Sequence, residues 1–301
     1  MQMPSEKSRS PGSKTIPQPE LIDWIRQAAL APSSHNTQPW RFALSPSAIT
    51  LFADRSRALP VNDPEDRELL ISCGCALTNL RVAAAAADAR TEIQLLPDPN
   101  TPDLLARASV IRERDTAIAA LRLSECIEAR RTCRSRFVRQ NRDPDVLAQL
   151  RTATAAEGVR LHALESEAAR KSAAELIYEG DTIQWSNPAW RHELASWMHT
   201  RRQGDGLTLP AAPLARLIVR NYDMGRNVGK RDRKLAISAP LLLLLESAGD
   251  SARDWLQAGQ ALQRILLTAC RHGLQASFLN QPIQLAALRP RLRKITGDGH
   301  P

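Results

Sequence analysis

Hydrophobic residues first recur with a clear period in "ELIDWIRQAAL", from Glu20, where Leu21, Ile22, Ile25, Ala28 and Ala29 fall at helical spacing and predict an amphipathic helix. Pro32 ends it, because the residue before a proline avoids helical backbone. "WRFALSPSAITLFAD" predicts two short strands with a turn at Ser45 and Pro46. "DRELLISCGCALTNLRVAAAAAD" is apolar on nearly every face, the pattern of a buried helix. "TEIQLLPD" and "LLARASVI" predict strands, and "DTAIAALRLSECIEARRT" a helix. The longest apolar run, "APLLLLLESAG" from Ala239, is bounded by Pro240 and Gly249; it predicts a buried strand and is far short of a membrane span.

After Phe137 the pattern begins again. Leu21, Ile22, Ile25, Arg26 and Ala28 match Val146, Leu147, Leu150, Arg151 and Ala153 without a gap. Arg41–Leu44 match Leu161–Leu164 once about five residues are removed from the intervening loop. Gly74, Ala76, Leu77 and Ala84 match Gly259, Ala261, Leu262 and Ala269 at a constant offset, so the chain reads as a weak internal duplication. The expected organisation is a disordered tail over 1–19, a first half over 20–125 and a second half over 126–301. An insertion at about 178–235 has no partner in the first half; it holds Trp185, Trp190 and Trp197.

Composition narrows the function classes. The 301 residues, 43% hydrophobic and 24% charged, are those of an ordinary globular protein. The formal charge of +9 raises nucleic-acid binding, but the arginines are dispersed and no nucleic-acid-binding motif accompanies them. Five cysteines make no disulfide framework; Cys73 and Cys75 lie in the buried helical pattern, and no metal-ligand spacing is present. "HELAS" at His192 lacks the second histidine of a zincin motif, and there is no P-loop, dinucleotide fingerprint or nucleophile elbow. With no apolar leader in "MQMPSEKSRSPGSKTIPQPE", a cytoplasmic location is expected, with neither membrane nor nucleic acid as partner.

Three segments can carry chemistry. "APSSHNTQPWRF", Ala31 to Phe42, offers short polar side chains directly after a helix, suited to the edge of a heteroaromatic ring; alternatively Ser33, Ser34 and Asn36 bond their own backbone in a self-capped turn. "RRTCR", from Arg130, offers forked donors and a hydroxyl suited to a phosphate, or else an exposed charged helix end. "GLQASFLNQPIQL", Gly273 to Leu285, reads as a helix end, a short strand and an exit loop. The duplicated halves do not share these segments: the first lies only in the first half, "RRTCRSRF" only in the second.

Taken together, "AALAPSSHNTQPWRF", "IEARRTCRSRF" and "ASFLNQPIQ" resemble the flavin-loop, phosphate-grip and ring-face segments of the FMN-dependent nitroreductases. "ISCGCALTNLRVA", "AGQALQRILLTA" and "GLQASFLNQP" are similar to the Acg-like subgroup, in which one chain holds two nitroreductase-like halves. The resemblance runs from about Glu20 to the end of the sequence. It implies an α+β fold with two pseudo-symmetric halves, helices packed on antiparallel or mixed sheets, mimicking a nitroreductase homodimer in one chain. It also implies one FMN site per chain. Pro32, Ser33, Ser34, Asn36 and Gln38 would contact the ring and ribityl chain; Arg130, Arg131, Thr132 and Arg134 would hold the phosphate; Gln281, Pro282 and Ile283 would lie at the ring.

The implied activity is NAD(P)H-dependent reduction of nitroaromatic or quinone-type acceptors by a flavoprotein oxidoreductase. The partners are then a small-molecule electron donor and acceptor, and the chain is a monomer mimicking a dimer, or a homodimer. No side chain is assigned as catalytic, since the cofactor carries the chemistry. The alternative is a flavin-sequestering or storage protein, with the insertion as a lid over FMN. Family chains continue past "GDGHP" into a last strand with a basic residue at the phosphate; a chain ending at Pro301 is expected to bind flavin more weakly and to expose a sheet edge.

Overall fold

The computed structural model describes residues 16–112, 118–135, 137, 145–198, 211–297 and 299–301. Helix α1 (Gln18–Ala28) buries Leu21, Trp24 and Ala28 on one face. Ile16 is buried as well, so the packed body starts ahead of Glu20, and the remainder of the expected tail lies outside the described residues. Strands β1 (Trp40–Ser45) and β2 (Ala48–Ala53) form the hairpin that the sequence predicts around Ser45 and Pro46. Helix α2 (Arg67–Ala86) follows, then β3 (Ala89–Leu95), β4 (Leu104–Arg112) and α3 (Ile118–Ala129). The four strands make an antiparallel sheet in the order β1-β2-β4-β3.

Helix α4 (Val146–Ala155) and β5 (Arg160–Ala163) open the second part. Four helices come next: α5 (Glu167–Ser186), α6 (Pro188–Trp197), α7 (Ala211–Asn221) and α8 (Gly225–Ser238). Strand β6 (Leu243–Glu246), from the long apolar run, pairs antiparallel with β5. Helix α9 (Ala252–Arg271) starts at a capping box of Ser251 and Asp254, and α10 (Gln281–Gln284) and α11 (Arg289–Thr296) complete the described elements. The fold is α+β.

The centre of the molecule is the crossing of α2 and α9, and it needs glycine on both sides. A Cβ on Gly74 would lie 2.3 Å from the carbonyl oxygen of Leu256, and one on Gly259 would lie 2.0 Å from that of Ile71. Buried polar contacts join the same helices. Thr78 donates to the Gln260 carbonyl (3.1 Å), and the Gln263 amide donates to Asn79 (2.6 Å). Cys73 and Cys75 are buried here, and burial pushes both thiols up, as expected of inert core cysteines. Among the described residues α2 alone is long and apolar enough to cross a membrane, and it lies inside the core.

Several boundaries differ from the sequence-based expectation. The division at 125/126 falls inside α3, and both ends of the expected insertion fall inside helices, Tyr178 in α5 and Leu235 in α8. The reason is that α5 and α8 pack against each other along their length. Gly229 meets Tyr178 and Gly225 meets Trp185, each with a would-be Cβ contact of 2.8 Å. The short strand expected after Gly273 is a single parallel bridge between Ala276 and Thr132. At the other end, His300 forms an antiparallel bridge with Ser247, just past β6, which covers part of the edge expected to be bare.

Candidate functional site

The polar loop after α1 turns sharply, with His35, Asn36 and Gln38 at φ of 50°, 58° and 51°. Left-handed backbone at non-glycine residues costs of order 1–3 kcal/mol each and concentrates at functional sites. The turn is partly self-capped: Ser33 Oγ accepts from the Gln38 backbone N–H at 2.9 Å, and the Gln38 amide donates to the Ala29 carbonyl at 3.3 Å, closing the end of α1. Ser34 does not cap the turn. Its hydroxyl donates to Glu68 Oε2 at 2.7 Å.

Glu68, in the first turn of α2 and not singled out from the sequence, ties two of the segments together. It is buried and accepts from Ser34, from the Asn62 amide (3.2 Å) and from the Gln284 amide (3.0 Å). Its place at the helix N-terminus favours the negative charge. Only a tertiary approach brings Gln284 to it, so no local pattern could have flagged it.

The arginine segment leaves α3 and is pinned at once to the third segment. Cys133 donates its backbone N–H to the Ala276 carbonyl at 2.8 Å, beside the Thr132–Ala276 bridge. Arg131 turns back to cap α3 through the carbonyls of Glu128 and Arg130 and is exposed, as is Arg134. Arg130 is different. Its Nε and Nη1 are buried and have no partner among the described residues, and burial, followed by the like charge of Arg131, pulls its pKa down. A guanidinium in that position is unfavourable until an anion meets it.

In the third segment Pro282 opens α10, and α10 lies close on α5 because Gly180 has no side chain: a Cβ there would be 2.6 Å from that of Gln281. The Gln281 amide donates to Asp181 Oδ1 (3.1 Å) and to Asp232 Oδ2 (3.4 Å). Asp181 is 3% exposed, and its Oδ2 has no partner among the described residues. Burial, then the charge of Asp232, raise its pKa to about 7. Ile283, partly buried, lines the cavity and also packs on the cluster of Leu176, Leu244, Leu288 and Leu292.

Helix α6 reaches over to the first half. Trp190 donates its indole N–H to Asn62 Oδ1 at 2.9 Å, and Glu193 accepts the backbone N–H groups of Val61 and Asn62, each at 2.8 Å. The Trp190 ring meets His35 edge-on at 6.5 Å. Burial, and secondarily Arg134, lower the His35 pKa to about 4, leaving a neutral imidazole in the loop.

All twelve residues singled out from the sequence line a single cavity of about 2400 Å³, as do Glu68, Asp181 and Trp190. That exceeds the ~300–1,000 Å³ typical of a pocket for one small ligand. Among the described residues no group of three or more His, Cys, Asp or Glu could hold a metal ion. His199 lies outside the described residues.

No family model matches the chain. It is similar to several Mycobacterium tuberculosis proteins, among them the following. The protein named "Putative NAD(P)H nitroreductase acg" is 28% identical over 280 residues, covering 91% of this chain and 84% of the relative. "Uncharacterized protein Rv3127" is 28% identical over 287 residues, covering 92% and 82%. "Putative NAD(P)H nitroreductase Rv3131" is 28% identical over 296 residues, covering 94% and 83%.

Proposed function

Because the chain belongs to the Acg-like nitroreductase family, we propose that its cavity binds FMN and that the protein uses NAD(P)H to reduce nitroaromatic or quinone-type acceptors. The observation that carries the reading is Arg130: two buried guanidinium nitrogens with no partner among the described residues, in a cavity that the Ser/Asn loop and α10 also line. The residues fit the group. Arg130 would meet the phosphate, with Thr132 and Arg134 beside it; the loop of Pro32, Ser33, Ser34, Asn36 and Gln38 would meet the ring edge and ribityl chain; Gln281, Pro282 and Ile283 would flank the ring. The Gln38 amide, already engaged at Ala29, would act through its backbone.

Bound flavin supplies reversible two-electron transfer. The chain's own residues bind it, orient it and keep water out. Glu68 fixes the loop against α10 through Ser34 and Gln284, so that the elements expected at the ring edge and the ring face hold a common geometry. Helix α6, latched by Trp190 and Glu193, covers the loop. The reciprocal contacts across Gly74 and Gly259 support reading the chain as two pseudo-symmetric halves that together build one site. NADPH added to the purified, FMN-loaded protein tests the activity. Bleaching of the flavin absorbance and its return with a nitro compound or quinone support the reductase; bleaching by dithionite alone supports sequestration.

A further inference from the structure

We propose that Asp181 is the proton donor of this cavity, delivering its proton to the carbonyl oxygen of a quinone bound against Gln281. The inference rests on the reading of the cavity as a flavin site. Two-electron reduction of a quinone to a hydroquinone takes a hydride equivalent, here from the reduced cofactor, and a proton. The hydride equivalent ends on one quinone oxygen and the proton on the other as the Asp181 O–H bond breaks; both C=O π bonds open, and the ring becomes aromatic. Asp181 is left as a carboxylate and is reprotonated from water.

The geometry singles out Asp181. It lines the cavity, is 3% exposed, and Gln281 occupies its Oδ1, while Oδ2 has no partner among the described residues and can carry the proton. Asp232 and Arg231 of α8 and Gln281 of α10 are the polar groups that act on it. Burial, and after it the charge of Asp232, disfavour the carboxylate, so the site holds a proton where an isolated carboxyl would have lost it, at a pKa of about 7. The Asp232 side chain is 13% exposed, which gives the pair an outlet to water. The other candidates fail. Glu68 already accepts from Ser34, Asn62 and Gln284, and His35 loses its charge near pH 4. A positioned acid contributes typically 10²–10⁴-fold to a rate, largest when its pKa lies near the working pH.

The test compares the parent with Asp181→Asn and Asp181→Glu, each loaded with FMN. Stopped-flow reoxidation of the dithionite-reduced protein by a benzoquinone is followed from pH 5.5 to 8.5. Infrared spectra of the flavin-free protein over the same range follow the protonated carboxyl band. The expected result is parent reoxidation that slows above about pH 7, slower reoxidation by ~10²-fold or more without that pH dependence in Asp181→Asn, and partial recovery in Asp181→Glu. The band that titrates near neutral pH in the parent should be missing from Asp181→Asn. Parent-like rate and pH profile in flavin-loaded Asp181→Asn overturn the donor role alone, and so does an unchanged carboxyl titration. A parent that takes up no FMN at all overturns the cofactor reading instead.

Discussion

Arg130 and Asp181 show what single buried groups require of their surroundings. Replacing Arg130 by alanine removes charge-assisted bonds worth ~1.5–3 kcal/mol each, so FMN affinity should fall at least tenfold while the fold is retained. Equilibrium titration with FMN checks this; equal affinity in the variant would remove Arg130 from the phosphate site. Asp181 has a consequence for stability as well. Its folded pKa, about 7, lies above that of an unfolded aspartate, so between roughly pH 4 and 7 the folded state binds the extra proton. The contribution of Asp181 to stability is therefore greatest at low pH and is lost as pH rises through 7. Asp181→Asn should stabilise the protein at pH 8, by on the order of 1–4 kcal/mol, and much less at pH 5. Urea unfolding at the two pH values is the measurement, and an equal effect at both would contradict it. Arg130 was legible in "RRTCR" because an arginine cluster is a local pattern. Asp181 and Glu68 were not, since each acquires its role from partners about a hundred or more positions away in sequence.

Periodicity made most of the individual elements readable. The helix α2, the β1–β2 hairpin and β6 stand where apolar spacing places them, because each buries a face that the sequence marks. The region from α5 to α8 was legible only as an unmatched, tryptophan-bearing stretch. Its helices bury their faces on one another, in the cluster of Trp185, Trp190, Ala195 and Val219, and Gly180, Gly225 and Gly229 mark close helix packing. The bond from Glu193 to the Val61 and Asn62 amides gives α6 a specific latch. Glu193→Ala should speed reduction of bound FMN by added NADPH several-fold and leave the far-ultraviolet spectrum unchanged, as measured by stopped-flow absorbance. Unchanged reduction kinetics in that variant would mean that α6 does not gate the cavity. The α2–α9 crossing has the opposite demand, for closeness. Gly259→Ala puts a methyl group 2.0 Å from the Ile71 carbonyl oxygen and should cost ~1–3 kcal/mol or more in thermal unfolding, with the melting temperature as readout.

For the whole molecule, the central claim is that three segments far apart in sequence converge on one flavin. The residues named for that role came from resemblance to a family and not from spacing, and they line one cavity. The weak repeat in alanine- and leucine-rich helices pairs the segments of α2 and α9, which cross closely, but a repeat of that kind marks no boundary, and the division at 125/126 falls inside α3. The most direct measurement is the visible spectrum of the purified protein, mixed with equimolar FMN and passed through a desalting column, before and after NADPH. The account predicts about one FMN retained per chain, bleached by NADPH and restored by a quinone. A protein fraction that emerges without flavin absorbance would contradict it.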